Sequence, residues 1–107
     1  MIQMKTMNEE LEFLLYSKSR LEKKGRMLEE MFKAEVDSLR KEMEMALVLR
    51  GESKEEAQKK VENQLKEVLR SHHKGEKARE LAREIQMVRN KIRQIEEIIS
   101  RITKGKR

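Results

Sequence analysis

The first half of the chain carries apolar residues at steps of three or four positions, the spacing of one face of an α-helix. Lys18, Gly25 and Glu35 interrupt this pattern, and Gly25 indicates a kink or a place where another helix comes close. The spacing predicts a helix over residues 4–50, about 70 Å long at a rise of about 1.5 Å per residue. Its apolar positions are Met4, Met7, Leu11, Leu14, Leu21, Leu28, Phe32, Val36, Leu39, Met43 and Leu47.

A tight turn over residues 51–53 separates this helix from the next. Gly51 is favoured just past a helix C-terminus because glycine adopts a left-handed backbone easily. Ser53 and Glu56 form a capping box, in which the Ser53 hydroxyl accepts a hydrogen bond from the Glu56 amide. We therefore predict a second helix over residues 54–70. Its apolar positions are Ala57, Val61, Leu65, Val68 and Leu69.

The third helix, predicted over residues 76–102, has the most regular pattern in the chain. Its apolar positions alternate steps of three and four, as in the a and d positions of a heptad repeat. Isoleucine at both positions favours bundles larger than a dimer of parallel helices, and the seam requires a partner surface. The tail over residues 103–107 is predicted to be frayed. The predicted oligomer seam is Ala78, Leu81, Ile85, Val88, Ile92, Ile95, Ile99 and Ile102.

These elements predict an all-α chain with a single helical domain over residues 1–107. If the second arm stays helical through residues 71–75, the arms form a long antiparallel hairpin in which facing residue numbers sum to about 103. Self-association of two hairpins would then give a coiled coil or four-helix bundle. If residues 71–75 form a sharp turn, the alternative is a three-helix bundle.

The composition agrees with slim helices. Charged residues make up 43% of the chain and aromatic residues 3%, so the core must be narrow and aliphatic. The chain contains no proline, and its apolar residues recur in phase, which argues against disorder. It contains no cysteine, and no apolar run approaches the roughly 20 residues of a membrane span. We therefore predict a soluble, cytoplasmic protein.

The basic excess lies in the last third of the chain. Residues 70–107 carry 12 Lys and Arg against 5 Glu, and several cations lie along one line of the third helix, away from its seam. This stripe is either the solvated outer face of a coiled coil or a surface that binds nucleic acid or another polyanion, without sequence specificity. The candidate polyanion-binding residues are Arg79, Arg83, Arg93, Arg101 and Lys104.

The sequence contains no recognisable catalytic or cofactor motif. His72 and His73 are adjacent, so they lack the i, i+4 spacing of a helical metal site. The Glu-x-x-His pairs of di-metal bundles are also missing, because Leu69 and Arg70 precede the histidines by three residues. We predict no enzyme, no cofactor and no metal site.

The functional expectation is an oligomerisation or protein-interaction module. Its partner would be a second copy, with a dimer favoured, or another helical protein. The alternative is a dimeric helical protein that binds nucleic acid or another polyanion through the basic stripe.

Overall fold

The structure, a computed structural model, describes residues 2–70 and 75–105. Those residues form three α-helices: α1 (Ile2–Leu49), α2 (Lys54–Arg70) and α3 (Glu76–Lys104). The described ranges contain no strand, so the predicted all-α class is confirmed. Helix α3 continues two residues into the segment predicted as a frayed tail, where the Thr103 hydroxyl donates to the Ile99 carbonyl oxygen at 3.0 Å.

The chain divides into two compact units, and α1 and α3 each contribute to both. Unit 1 consists of Met1–Leu28 and Glu84–Arg107. Unit 2 is Glu29–Arg83, which contains α2.

The turn after α1, in unit 2, satisfies the last carbonyl groups of that helix. Gly51 has a φ of 102°, and its amide donates to the Val48 carbonyl oxygen at 2.9 Å. The Glu52 amide donates to the Leu47 carbonyl oxygen at 3.2 Å, which completes a Schellman motif. The predicted cap of α2 is present, since the Glu56 amide donates to the Ser53 hydroxyl oxygen at 3.2 Å.

The core of unit 2 forms where α1 packs against α2 and the start of α3. Leu39 of α1 clusters with Leu65 of α2 and Ala78 of α3. Ala57 and Val61 are fully buried. The same cluster is flanked by the partly buried residues Phe32, Val36, Met43 and Leu69.

The end of α2 and the start of α3 lie side by side. Gly75 has a left-handed φ of 79°, and Arg79 Nη1 donates to the carbonyl oxygens of Leu69 at 3.2 Å and Val68 at 3.5 Å. In one continuous helix, residues ten apart would be separated by about 15 Å along the axis. The second arm is therefore not a single helix through this segment, of which residues 71–74 lie outside the described ranges.

This break changes the register with which the second arm faces α1. The ion pair between Arg40 Nε and Glu62 Oε1, at 2.7 Å, joins residues whose numbers sum to 102, close to the predicted 103. The pair between Glu35 and Lys77, at 3.9 Å, joins residues whose numbers sum to 112. The predicted register therefore holds for α2 and is wrong by about ten residues for α3. The reason is that α3 restarts beside Leu69 instead of continuing beyond it.

Unit 1 is an antiparallel pair of helix segments. Lys18 Nζ lies 3.2 Å from Glu96 Oε2, and a Cβ placed on Gly25 would lie 3.4 Å from Val88 Cγ1. As the residue number rises on α1 it falls on α3, which defines the antiparallel direction. These contacts are consistent with the predicted hairpin, and they confirm that another helix comes close at Gly25.

Candidate interaction surfaces

The predicted oligomer seam of α3 falls into two halves of different burial. Its first four members are at most 7% exposed in the single chain, so they need no second chain to cover them. Its last four members are only partly buried. The buried half is Ala78, Leu81, Ile85 and Val88, and the partly buried half is Ile92, Ile95, Ile99 and Ile102.

Exposed apolar side chains concentrate where these partly buried isoleucines lie. Phe13 is 66% exposed, Tyr16 59% and Leu15 49%, all on α1. Ile98, which lies outside the heptad seam, is 37% exposed. The Lys18–Glu96 contact and the antiparallel direction place residues 11–16 opposite the last turns of α3. We call the apolar residues of these two segments the apolar end of unit 1; they are Leu11, Phe13, Leu14, Leu15, Tyr16, Ile92, Ile95, Ile98, Ile99 and Ile102.

The predicted oligomer seam does not include Phe13, Leu15, Tyr16 or Ile98, because it contains only residues in phase with one heptad pattern. The signal was present in the run Phe13-Leu14-Leu15-Tyr16 and in the pair Ile98-Ile99, where apolar residues occupy neighbouring positions. Neighbouring positions on a helix point about 100° apart, so such runs widen the apolar stripe beyond one contact.

A second line of residues on α1, from Glu9 to Met27, also follows heptad spacing. It lies on the side of the helix away from Leu14, Leu21 and Leu28, which are buried or partly buried. Within it, the Arg20 guanidinium carbon lies 5.8 Å from the centroid of the Tyr16 ring, in the range of a cation–π interaction. All the line's members are exposed. We call this line the outer seam, and its members are Glu9, Phe13, Tyr16, Arg20, Lys23 and Met27.

Another exposed apolar group lies in unit 2, next to the Gly51 turn. Met45, Val48 and Leu49 line an open groove of about 400 Å³. All three come from the last turns of α1, and the neighbouring lining residue from α2 is Lys54. This surface therefore lacks the second apolar helix segment found at the apolar end of unit 1.

The cations of the predicted polyanion stripe are divided between the two units. Arg79 and Arg83 belong to unit 2, whereas Arg93, Arg101 and Lys104 belong to unit 1. Arg79 is partly buried, and its guanidinium donates to the last carbonyl groups of α2. These hydrogen bonds connect α3 to α2 within the fold. The four other cations are exposed.

Two amide side chains continue the stripe between these cations. Asn90 Oδ1 accepts hydrogen bonds from Gln86 Nε2 at 3.2 Å and from Arg93 Nη2 at 2.7 Å. No acidic side chain within the described residues forms an ion pair with Arg93, Arg101 or Lys104. The part of the stripe in unit 1 is thus a short row of exposed cations.

The two units differ in charge. Unit 1 contains 13 Lys and Arg against 7 Glu, while unit 2 contains 13 of each sign. The whole net charge of +6 therefore lies in unit 1. Cations of α1 contribute to it, and Arg20, Lys23 and Lys24 line a groove of about 670 Å³ that has no acidic residue in its lining.

Unit 2 carries one notable ion pair, between Lys60 Nζ and the carboxylate of Glu52 in the turn. The hydrogen bond and the charge of Glu52 raise the pKa of Lys60 above its ordinary value. Lys60 is exposed, so the contact orients the turn and does not make a buried site.

Nothing in the described ranges gathers three or more His, Asp or Glu side chains into a metal-binding group. The prediction on His72 and His73 falls on residues outside those ranges. None of the described helices is both long and apolar enough to span a bilayer.

Comparisons with known proteins return no relative for this chain. No model of a protein family, no curated protein and no solved structure matches it.

Proposed function

We propose that this chain is a non-enzymatic oligomerisation module that associates with a second copy through the apolar end of unit 1. The observation that carries the proposal is the contrast along α3. The seam is buried within the single chain up to Val88, but from Ile92 onward it is partly exposed and widened by Ile98. An apolar stripe of this width is typical of a helix that packs against more than one neighbour.

The energetics favour covering this surface. Full burial of a Phe or Ile side chain contributes roughly 1.5–3 kcal/mol. Each chain would place Phe13, Leu15, Tyr16 and Ile98 in or near the contact, and a two-fold dimer uses each residue twice. The gain competes with an association cost of roughly 4–15 kcal/mol, so we expect a dimer of moderate affinity.

Replacing Ile98 by Lys tests this proposal without disturbing the contact between α1 and α3. Ile98 lies outside the heptad seam, so the charge would enter the proposed dimer surface and leave the intrachain seam intact. We expect the dimer dissociation constant, measured by light scattering over a concentration series, to rise at least tenfold. Thermal unfolding followed by circular dichroism should show that the helices persist.

Gln86→Lys is the matched control, because it adds the same charge to an exposed position on the same helix segment. It lies twelve residues away, roughly 120° around the helix from Ile98 at about 100° per residue. We expect its dissociation constant to stay within about threefold of the unaltered chain. A chain that remains monomeric up to hundreds of micromolar would contradict the proposal.

The charge of unit 1 favours a second candidate function, polyanion binding. An exposed cationic surface binds phosphate backbones without contacting the bases. Each phosphate contact that is lost reduces the slope of the logarithm of the binding constant against the logarithm of the salt concentration by about one. We expect the double variant Arg93→Glu, Arg101→Glu to bind a DNA duplex more weakly. The affinity of this variant should also depend less steeply on the salt concentration. Arg79 is left unchanged because it contacts α2.

The control for this candidate is Lys59→Glu with Lys66→Glu, an equal charge change at exposed positions of unit 2. Gel shifts across a salt series should show this variant binding like the unaltered chain. Equal loss of binding in both variants would indicate a net-charge effect instead of a site, and undetectable binding at low salt would exclude the function.

A further inference from the structure

The outer seam of α1 has the spacing of a helix–helix contact, yet all six of its members are exposed in the part of the chain that the structure describes. Its six members follow steps of four, three, four, three and four, which is the a and d pattern of a heptad. Phe13 is 66% exposed, Tyr16 59% and Met27 64%. Large apolar residues at three of the six positions of an exposed seam indicate a surface that another helix covers.

The charges on this seam are segregated along the helix. Glu9 stands at the N-terminal end of the seam, whereas Arg20 and Lys23 lie toward its C-terminal end. The two aromatic residues, Phe13 and Tyr16, lie between the two signs of charge. A segment with one sign at each end and an apolar centre is complementary to itself when reversed.

The direction of pairing follows from these charges. In a parallel, in-register pair, each seam residue would face its own copy, which brings Glu9 against Glu9 and Arg20 against Arg20. Like charges at such contacts oppose association. In an antiparallel pair a positions face d positions, so a register in which residue numbers sum to 29 sets Phe13 opposite Tyr16 and Glu9 opposite Arg20.

The two neighbouring antiparallel registers are less complementary. When the numbers of facing residues sum to 22, Glu9 faces Phe13. When the numbers of facing residues sum to 36, Glu9 faces Met27 and Phe13 faces Lys23. That arrangement would leave the carboxylate against a thioether and separate the aromatic rings. The register of 29 is therefore the one in which apolar meets apolar and acid meets base at every central layer.

We propose that the occupant of the outer seam is the same segment of a second copy, antiparallel, with its two-fold axis between the levels of Leu14 and Leu15. Each dimer would then contain two Phe13–Tyr16 contacts and two Glu9–Arg20 ion pairs. Arg20 already lies over the Tyr16 ring, which directs its guanidinium along the seam. The inference rests on the proposed self-association. Phe13 and Tyr16 belong both to the outer seam and to the apolar end of unit 1, and the inference adds the direction in which these residues of the two copies pair.

Charge reversal at the two ends of the seam tests this register. Glu9→Arg alone would place two arginine pairs in the dimer, and Arg20→Glu alone would place two glutamate pairs there. We expect each single variant to dissociate at a concentration at least tenfold higher than the unaltered chain in sedimentation equilibrium at low salt. Mixed one to one, the two variants should form a heterodimer, because each arginine then faces a glutamate.

The matched controls are Glu22→Arg and Arg26→Glu, which make the same charge changes on exposed positions of α1 outside the outer seam. We expect each to dimerise like the unaltered chain and their mixture to show no preference for heterodimers. Thermal unfolding of all four variants checks that the helices remain folded.

The outcomes separate this inference from the proposed function. If the unaltered chain dimerises but Glu9→Arg and Arg20→Glu do so equally well, the register is wrong and self-association stands. If mixing the two seam variants yields no heterodimer above the statistical fraction, the antiparallel pairing is overturned. If the unaltered chain is monomeric at all concentrations, the proposed function fails first.

Discussion

Leu39→Ala is expected to lower the free energy of unfolding by about 2–5 kcal/mol, the range seen for truncating a buried leucine. Leu39 is 8% exposed and is the α1 member of the cluster that also contains Leu65 and Ala78. Truncation removes its apolar surface from the core and leaves a cavity facing both of the other helices. The loss therefore falls on a cluster of unit 2 to which all three helices contribute.

Leu49→Ala is the control, since it makes the same substitution on the same helix at a position that is 81% exposed. We expect its effect to stay within about 0.5 kcal/mol. The free energies of unfolding of both variants are measured by urea unfolding followed by circular dichroism, at a concentration where the chain is monomeric. Comparable losses for Leu39→Ala and Leu49→Ala would mean that the cluster does not hold unit 2 together.

The second large effect is expected from adding volume where α3 passes close to the core. Ala78 is 0% exposed and lies in the cluster with Leu39 and Leu65. Ala78→Leu forces three methylene-sized groups into a packed space, which costs about 1–3 kcal/mol through strained side chains and displaced backbone. The substitution should also loosen the start of α3, because the helix can relieve the clash by moving away.

Ala82→Leu separates overpacking from any intrinsic effect of leucine on α3. Ala82 is exposed and lies one turn further along the same helix, where both residues are good helix formers. We expect its free energy of unfolding to stay close to that of the unaltered chain. If Ala78→Leu were as stable as Ala82→Leu, the close packing of α3 on unit 2 would be contradicted.

The helices were predictable because their signals are local. The period of three and four residues, the glycine at position 51 and the capping serine at position 53 each act within one or two turns of the chain. The structure has the corresponding hydrogen bonds, with the Glu52 amide on the Leu47 carbonyl and the Glu56 amide on Ser53.

The register of α3 was not predictable from these patterns. A seam's periodicity identifies which face of a helix is buried but not which residues of another helix lie opposite it. That depended on Gly75 and on Arg79, whose guanidinium reaches the last carbonyls of α2 and holds α3 beside it. In unit 2 Glu35 lies near Lys77, about ten residues from the predicted register. In unit 1 Lys18 lies near Glu96 and Gly25 near Val88.

Those three contacts explain the interruptions in the first apolar pattern. Lys18 and Glu35 look like defects in a hydrophobic stripe, yet each lies near an opposite charge on α3. Gly25 lacks a side chain where Val88 approaches. Lys18, Gly25 and Glu35 each lie at a contact with α3, so the apolar pattern of α1 alone does not explain them.

The sequence by itself determined the three helices, the turn at Gly51 and which side of each helix is apolar, because these depend on neighbours a few residues away. Only the tertiary structure decided how much of the isoleucine seam the chain covers by itself and which cations remain exposed. In the structure the seam residues from Ala78 to Val88 are buried, those from Ile92 to Ile102 are partly exposed, and Arg79 donates to a carbonyl oxygen of α2. The physical reason is that burial depends on the register between distant segments, and in unit 2 the register with which α1 faces α3 differs from the one with which it faces α2.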